Sequence, residues 1–167
     1  MKLYLVRHGI AVEGLVRGIS SDAQRPLTEE GVQELKMVAQ SLKRFDLKPD
    51  VIVSSPLVRA KQTAEVLLQE LGGELVTSDS LSPGVTAANV FKFLKKYADK
   101  DEIFLVGHEP DVGELIKEIV CAGFEFSLPF EKAAVACVEV ADLPPTMPGV
   151  LRWLVTPKLL ARLGNKS

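Results

Sequence analysis

The sequence predicts an α/β fold of three layers, α/β/α, around a mainly parallel sheet of about six strands. Alternation is the first observation behind this. Short apolar runs take turns with amphipathic segments along the chain, the pattern of right-handed βαβ units with helices on both faces of a sheet. Size is the second. At about 150 residues per domain, 167 residues form one domain, 1–167, and such a chain buries enough surface for a core without staples.

Leu3 to Val6 reads as a buried strand. A loop follows through Arg25-Pro26. Thr28 is placed as an N-cap, with Glu29 and Glu30 in the first turn where the helix dipole favours acids. Val32, Leu35, Val38, Ala39, Leu42 and Phe45 then recur at helical spacing. Pro49-Asp50 breaks the chain before a strand at Val51 to Val53. Ser55 is expected to cap, and Pro56 to open, a second helix. Its apolar face is Ala60, Ala64, Leu67, Leu68 and Leu71, and Gly72-Gly73 end it.

A strand from Glu74 to Thr77 comes next, then a turn at Ser82-Pro83-Gly84 and a helix from about Thr86 to Tyr97. The fourth strand is Ile103 to Val106. Its helix begins near Pro110 and turns Val112, Leu115, Ile116, Ile119 and Val120 inward. Ala133 to Val140 and Val150 to Thr156 read as two strands of a hairpin-like unit across a Pro-rich connection. A helix from Pro157 to Leu163 closes the chain.

Twenty basic and 22 acidic residues leave a net charge of -2, so no general field draws nucleic acid or an anionic membrane. Positive charge for an anionic ligand must then be local. Cys121 and Cys137 stand far apart and outside any CxxC pair, which favours free, buried thiols and a reducing compartment. The apolar run at the N-terminus is too short for a signal peptide, and no run approaches the ~20 apolar residues of a membrane span. A cytoplasmic protein is expected.

The chemistry-bearing residues fall at strand ends. His8 and His108, the two histidines of the chain, each lie two residues past a strand. In an open parallel sheet, ligands bind beyond the carboxyl ends of the strands. Arg7 precedes His8, and Arg59 lies one turn into the helix after the second strand. Two imidazoles and two guanidiniums thus converge from separate segments. Guanidinium forks match phosphate oxygens, and a neutral imidazole can attack phosphorus. Taken singly, each residue has an ordinary structural explanation; the convergence is what points to a phosphoryl site. A zinc reading lacks a third His or Cys at suitable spacing.

At these residues the chain resembles the histidine phosphatase, or phosphoglycerate mutase-like, superfamily. The Arg-His-Gly signature reads Leu5-Val6-Arg7-His8-Gly9. A Ser-Ser-Pro block reads Ser54-Ser55-Pro56-Leu57-Val58-Arg59-Ala60-Lys61-Gln62-Thr63-Ala64. A late Gly-His block reads Val106-Gly107-His108-Glu109-Pro110. The resemblance is strongest to SixA-type phosphohistidine phosphatases, which share Arg-Pro-Leu-Thr before the first long helix, here Arg25-Pro26-Leu27-Thr28. It implies a mixed sheet in which one C-terminal strand runs antiparallel. It also implies that His8 is the nucleophile, that Arg7, Arg59 and His108 clamp the phosphoryl oxygens, and that Gly9 lets the backbone approach closely. No metal or organic cofactor is implied.

Many larger members carry Glu or Gln and then Thr after the triplet, and a general-acid Glu after the third strand. This chain has Ile10-Ala11, and only Ser78-Asp79-Ser80-Leu81-Ser82-Pro83-Gly84 in that region. An alkoxide leaving group benefits from a proton donor by ~10²–10⁴-fold, whereas the weak P–N bond of phosphohistidine does not need one. The expected substrate is therefore phosphohistidine on a protein, with a histidine phosphotransfer domain as the natural partner and a monomer as the default state. Small phosphate esters or sugar phosphates are the rival substrates; a non-catalytic phosphate-binding or protein-interaction module is the rival of another class. Asp79 and Glu13 are read as solvated loop charges rather than acids. Phe124, Phe126 and Phe130 are read as core packing and Lys132 as a surface lysine, with a docking wall as the alternative.

Overall fold

The computed structural model describes residues 1–14, 18–121 and 128–164. Phe124 and Phe126 lie outside the described residues. One six-stranded sheet organises the rest, in the order β3-β2-β4-β1-β5-β6. The strands are β1 (Lys2–Arg7), β2 (Val51–Ser54), β3 (Glu74–Thr77), β4 (Glu102–Gly107), β5 (Val135–Glu139) and β6 (Val150–Val155). β1 to β4 run parallel. β5 is antiparallel to both β1 and β6, so it alone runs against the others. This is the mixed, mainly parallel sheet that the sequence pattern and the family blocks imply.

Alternation along the strands builds the two outer layers. Leu3, Leu5, Val51, Val53, Ile103 and Leu105 point to one face and pack against α3 (Ala87–Leu94) and α4 (Asp111–Cys121). Tyr4, Val6, Ile52, Phe104 and Val106 point to the other, against α1 (Glu29–Lys43), α2 (Val58–Leu71) and α5 (Pro157–Gly164). Because central parallel strands are covered on both sides, every residue of β2 is buried.

Thr28 caps α1 as expected, its hydroxyl accepting from the Gly31 amide at 3.0 Å. Three expectations need correction. Ser55 does not cap α2 and Pro56 does not open it: the helix starts at Val58 with Leu57 at the cap position. Ser55 still extends the sheet ladder, its amide donating to the Val106 carbonyl at 3.0 Å, and its hydroxyl is taken by His108. Phe45 is not part of the α1 apolar face. The helix ends at Lys43, Asp46 turns left-handed at φ 55°, and Phe45 is exposed. Both thiols are free, but only Cys137 is buried; Cys121, the last residue of α4, is half-buried. Among the described residues, no helix is long and apolar enough to cross a membrane.

Candidate functional site

Register sets the geometry of the site. β1 and β4 are adjacent and parallel, with Arg7 opposite Gly107. The next residue on each strand is a histidine. Neighbouring strands lie about 4.8 Å apart, and the His8 and His108 rings sit with centroids 5.2 Å apart. On the other side of β4, Ser54 is opposite Val106, which places Ser55 level with Gly107 and Arg7, one residue before His108.

His8 is buried, and its tautomer is fixed from both sides. Nδ1 lies 2.7 Å from the Gly9 carbonyl oxygen. A carbonyl only accepts, so Nδ1 carries the proton and donates. Nε2 therefore presents its lone pair, and Arg59 Nε donates to it at 3.2 Å. Burial disfavours the imidazolium, and the positive charges of Arg59, Arg7 and Lys132 add to this. The Gly9 hydrogen bond opposes only in part, and the ring pKa falls from 6.5 to about 4. His8 is thus a neutral ring with its lone pair at Nε2 throughout the ordinary pH range.

His108 is also buried, and its Nε2 makes a 2.8 Å hydrogen bond with the Ser55 hydroxyl. Burial, with the charge of Arg59 beside it, lowers this ring to about 3. Its Nδ1 is buried and has no hydrogen-bond partner among the described residues. Buried polar atoms are almost always paired, so an orphan here, beside His8, leaves one ring nitrogen available for a contact with a ligand.

Arg59, only 5 % exposed, enters from the first turn of α2. Its three nitrogens are all engaged: Nε with His8, Nη1 with the Asp22 carbonyl at 2.8 Å, and Nη2 with Asp22 Oδ2 at 3.0 Å. Arg7 ends β1, and its Nη1 donates to the Phe130 carbonyl at 2.7 Å, while its buried Nε has no partner. The structure therefore brings His8, His108 and Arg59 into direct association. It sets Arg7 beside them, close enough for its charge to act on both rings.

Gly9 is placed differently from the expected backbone approach to a ligand. Its amide donates to Thr63 Oγ1 at 3.1 Å, and that hydroxyl donates to the Arg59 carbonyl at 2.8 Å. A Cβ at Gly9 would stand 2.6 Å from Leu35 Cδ1. The missing side chain makes room for α1, and Gly9 ties β1 to α2. Asp79 and Glu13 are exposed, as solvated charges are. Phe130 is buried in the core, as the packing reading expects. Lys132 is half-buried rather than a plain surface residue, and its charge reaches His8.

Two site residues escaped the sequence reading. Asp22 sits on a short 3-10 turn, Asp22–Gln24, and couples two guanidiniums: Oδ2 to Arg59 and Oδ1 to Arg25 Nε at 2.8 Å. Partial burial works against its ionised form, but the hydrogen bond and charge of Arg59, with the charge of Arg25, hold the carboxyl below its usual range. The signal was present in Asp22-x-x-Arg25, an ordinary surface spacing until the loop folds over α2. Ser55 is the other, and its capping disguise hid it. Glu109 follows His108. Burial raises its carboxyl, opposed by the Gly113 amide that donates to it at 3.3 Å and by the charge of Arg7.

Residues 3–82 match the family model of the histidine phosphatase superfamily (branch 1). An uncharacterized protein of Picosynechococcus sp. is 36 % identical over 138 residues, covering 81 % of this chain and 82 % of that one. The chain belongs to the histidine phosphatase superfamily. It is a phosphatase, and so a hydrolase, of that group. The phosphohistidine phosphatase SixA of Escherichia coli (strain K12) is 29 % identical over 165 residues, covering 94 % of each chain. A solved structure of the protein histidine phosphatase SixA complexed with tungstate superposes with a TM-score of 0.82 at 26 % identity, covering 95 % of this chain and 98 % of that one. As members of one superfamily, the chains share the mixed six-stranded architecture described above.

Proposed function

We propose that this phosphatase hydrolyses phosphohistidine carried on a protein, through a covalent phosphohistidine at His8 and without a metal ion. The observation that carries the reading is His8 Nε2. It is a lone pair on a neutral ring, oriented by the Gly9 carbonyl and set against a buried guanidinium. His8 Nε2 attacks phosphorus in line; the new P–N bond forms as the bond to the substrate imidazole breaks, and that imidazole takes a proton from solvent. Water then attacks the phosphorylated His8, releasing phosphate and the free ring. Arg59 exchanges its contact with Nε2 for a phosphoryl oxygen as the nitrogen bonds to phosphorus. Arg7 Nε and His108 Nδ1, both buried and unpartnered, supply further contacts to the oxygens. Such preorganised positive groups do in this site what a cation does in many other phosphoryl-transfer sites.

Asp22 supports the choice of a P–N substrate. It is the carboxylate bound to Arg59, and it is held as an anion, which has no proton to give to an alkoxide. The connection from β3 to α3 supports it too, since it runs only from Ser78 to Thr86 and inserts no cap over the site. The SixA relative of Escherichia coli is a phosphohistidine phosphatase, which agrees with this reading. The test compares kcat/KM on a phosphohistidine protein with a panel of small phosphate esters and sugar phosphates. Faster turnover of the esters overturns the substrate. His8→Ala should abolish turnover while tungstate binding persists, and base quench of a labelled substrate should leave the label on His8. Retained turnover in His8→Ala removes the nucleophile assignment.

A further inference from the structure

We infer that the cavity between α3 and α4 beside His108 receives a lysine or arginine side chain of the substrate protein, next to its phosphohistidine. This rests on the phosphohistidine reading above and adds a recognition element to it. The cavity holds about 230 Å³, and His108 forms part of its wall. Sites for drug-sized ligands run to about 300–1,000 Å³, so this space suits a side chain rather than a cofactor or a metabolite of that size. His108, 3 % exposed, thus belongs both to the phosphoryl site and to the wall of this cavity, which places the two side by side.

The lining has two chemistries. Leu81, Val85, Leu105 and Val112 make an apolar floor. Asp111, Glu114 and Glu118 recur along one face of α4 and make an acidic rim. Asp111 accepts from the Gly84 amide at 3.0 Å, and Glu114 accepts from Lys117 Nζ at 2.7 Å, so Lys117 offsets one of the three charges. Glu118 adds an exposed carboxylate farther along the rim. A long aliphatic stem ending in a cation fits this combination: the stem lies on apolar surface while the charged head stays among carboxylates and water. A phosphoryl group held at His8 and His108 would carry the basic neighbour directly over the cavity.

The adjoining groove on the α3 side has the opposite sign. It shares Ser80 and Val85 with the cavity and is lined by Lys92, Lys95 and Lys96. Lys96 Nζ lies 4.1 Å from the centre of the Phe93 ring, which holds that charge in place. These lysines repel a basic segment from α3 and leave α4 as its seat.

Two phosphohistidine peptides test this, identical except that lysines flank the phosphohistidine in one and glutamates in the other. Phosphoramidate, which has no flanking residues, reports the phosphoryl site alone. The protein should prefer the lysine peptide by about fivefold in kcat/KM, the upper range for partly exposed ion pairs. Added salt should shrink that preference, and Glu118→Lys should remove or reverse it. Equal kcat/KM for the two peptides overturns the inference while phosphoramidate turnover still upholds the phosphoryl chemistry. A preference for the glutamate peptide also overturns it and assigns docking to the α3 lysines. Turnover of neither phosphoramidate nor peptide would instead strike the parent reading. Glu118 is exposed at its position on α4, so its substitution tests docking rather than folding.

Discussion

Acidification from pH 7 to pH 5 should destabilise the free protein through its two histidines alone. In the unfolded chain an imidazole titrates near 6.5; in the folded chain His8 titrates at about 4 and His108 at about 3. At pH 5 the unfolded chain therefore binds two protons that the folded chain refuses. Stability is full above pH 6.5 and falls as pH drops toward the folded values. At 1.36 kcal/mol per pH unit, the interval from 6.5 to 5 costs about 2 kcal/mol for each ring and about 4 kcal/mol for both. Both folded rings are still neutral at pH 5, so their mutual repulsion does not enter. The other shifted groups leave this window largely intact. Asp22 is held below its usual range and loses its contribution only under about pH 4, while burial raises Glu34 and Glu109, which act with the opposite sign. Urea unfolding at pH 7 and pH 5 reads the effect. With an m-value of about 2 kcal/mol/M, the midpoint should drop by about 2 M. The paired variant His8→Gln with His108→Gln carries no titrating ring and should lose most of that dependence. Because the chain has two histidines, NMR titration of the ring signals gives an independent check. An unchanged midpoint, or either ring titrating near 6.5, refutes the account of how burial and the arginines keep His8 neutral.

Asp22→Asn should lower kcat about tenfold with little change in the urea midpoint. It removes a charge-assisted contact that orients Arg59, but from an aspartate whose side chain is 65 % exposed; an unaltered kcat would show that Arg59 needs no such guide. Gly9→Ala should destabilise by about 1–3 kcal/mol, since its Cβ would press on Leu35 Cδ1 and Leu27 Cδ2. Pairing it with Leu35→Ala should cost less than the two single changes summed, and strict additivity in denaturant melts would place the strain elsewhere. Glu109→Gln should change kcat on a phosphohistidine peptide by less than about tenfold. A loss of the ~10²–10⁴-fold size of a general acid would give Glu109 that role and remove the case for a leaving group protonated by solvent.

The sheet was legible because its signals are local. Short apolar runs bounded by Pro, Gly and Asp marked β1, β2 and β4, and Thr28 with its two glutamates marked the start of α1. The convergence of Arg7, His8 and His108 was legible because they lie at or just past the ends of adjacent strands, where parallel register turns equal offsets into proximity, and Arg59 because it lies in the first turn of the helix that follows β2. What was not legible depends on partners distant in sequence. Ser55 has every local mark of a helix cap, yet a buried histidine 53 residues away claims its hydroxyl. Phe45 keeps the spacing of its helix but stands past the last turn, where periodicity no longer fixes direction. Asp22 lies in a loop with no period, and only the fold brings it to Arg59, 37 residues on. Lys132 reads as an isolated surface charge until β5 is laid beside β1.

A nucleophilic histidine in a phosphatase faces two opposed requirements. The oxygens of phosphate need positive charge, yet the attacking nitrogen must be unprotonated. Aqueous imidazole near pH 6.5 meets the second only in part. Here one arrangement satisfies both. The guanidiniums that would bind the anion are the charges that, after burial, drive the His8 proton off, and Arg59 Nε–H occupies Nε2 as a donor rather than as a titrating acid. The Gly9 carbonyl could have undone this by stabilising an imidazolium through Nδ1–H. It does oppose the shift, but a single carbonyl is outweighed by burial together with three cationic side chains. The carbonyl keeps its other effect, which is to fix the tautomer. In the mechanism proposed above, incoming phosphate reverses the balance: its negative charge offsets Arg7 and Arg59, and the His8 ring can then bear the positive charge that develops as Nε2 bonds to phosphorus. Neutral before attack and cationic after it, the ring follows the charge of its surroundings, which is the condition for a nucleophile that must also leave when water arrives.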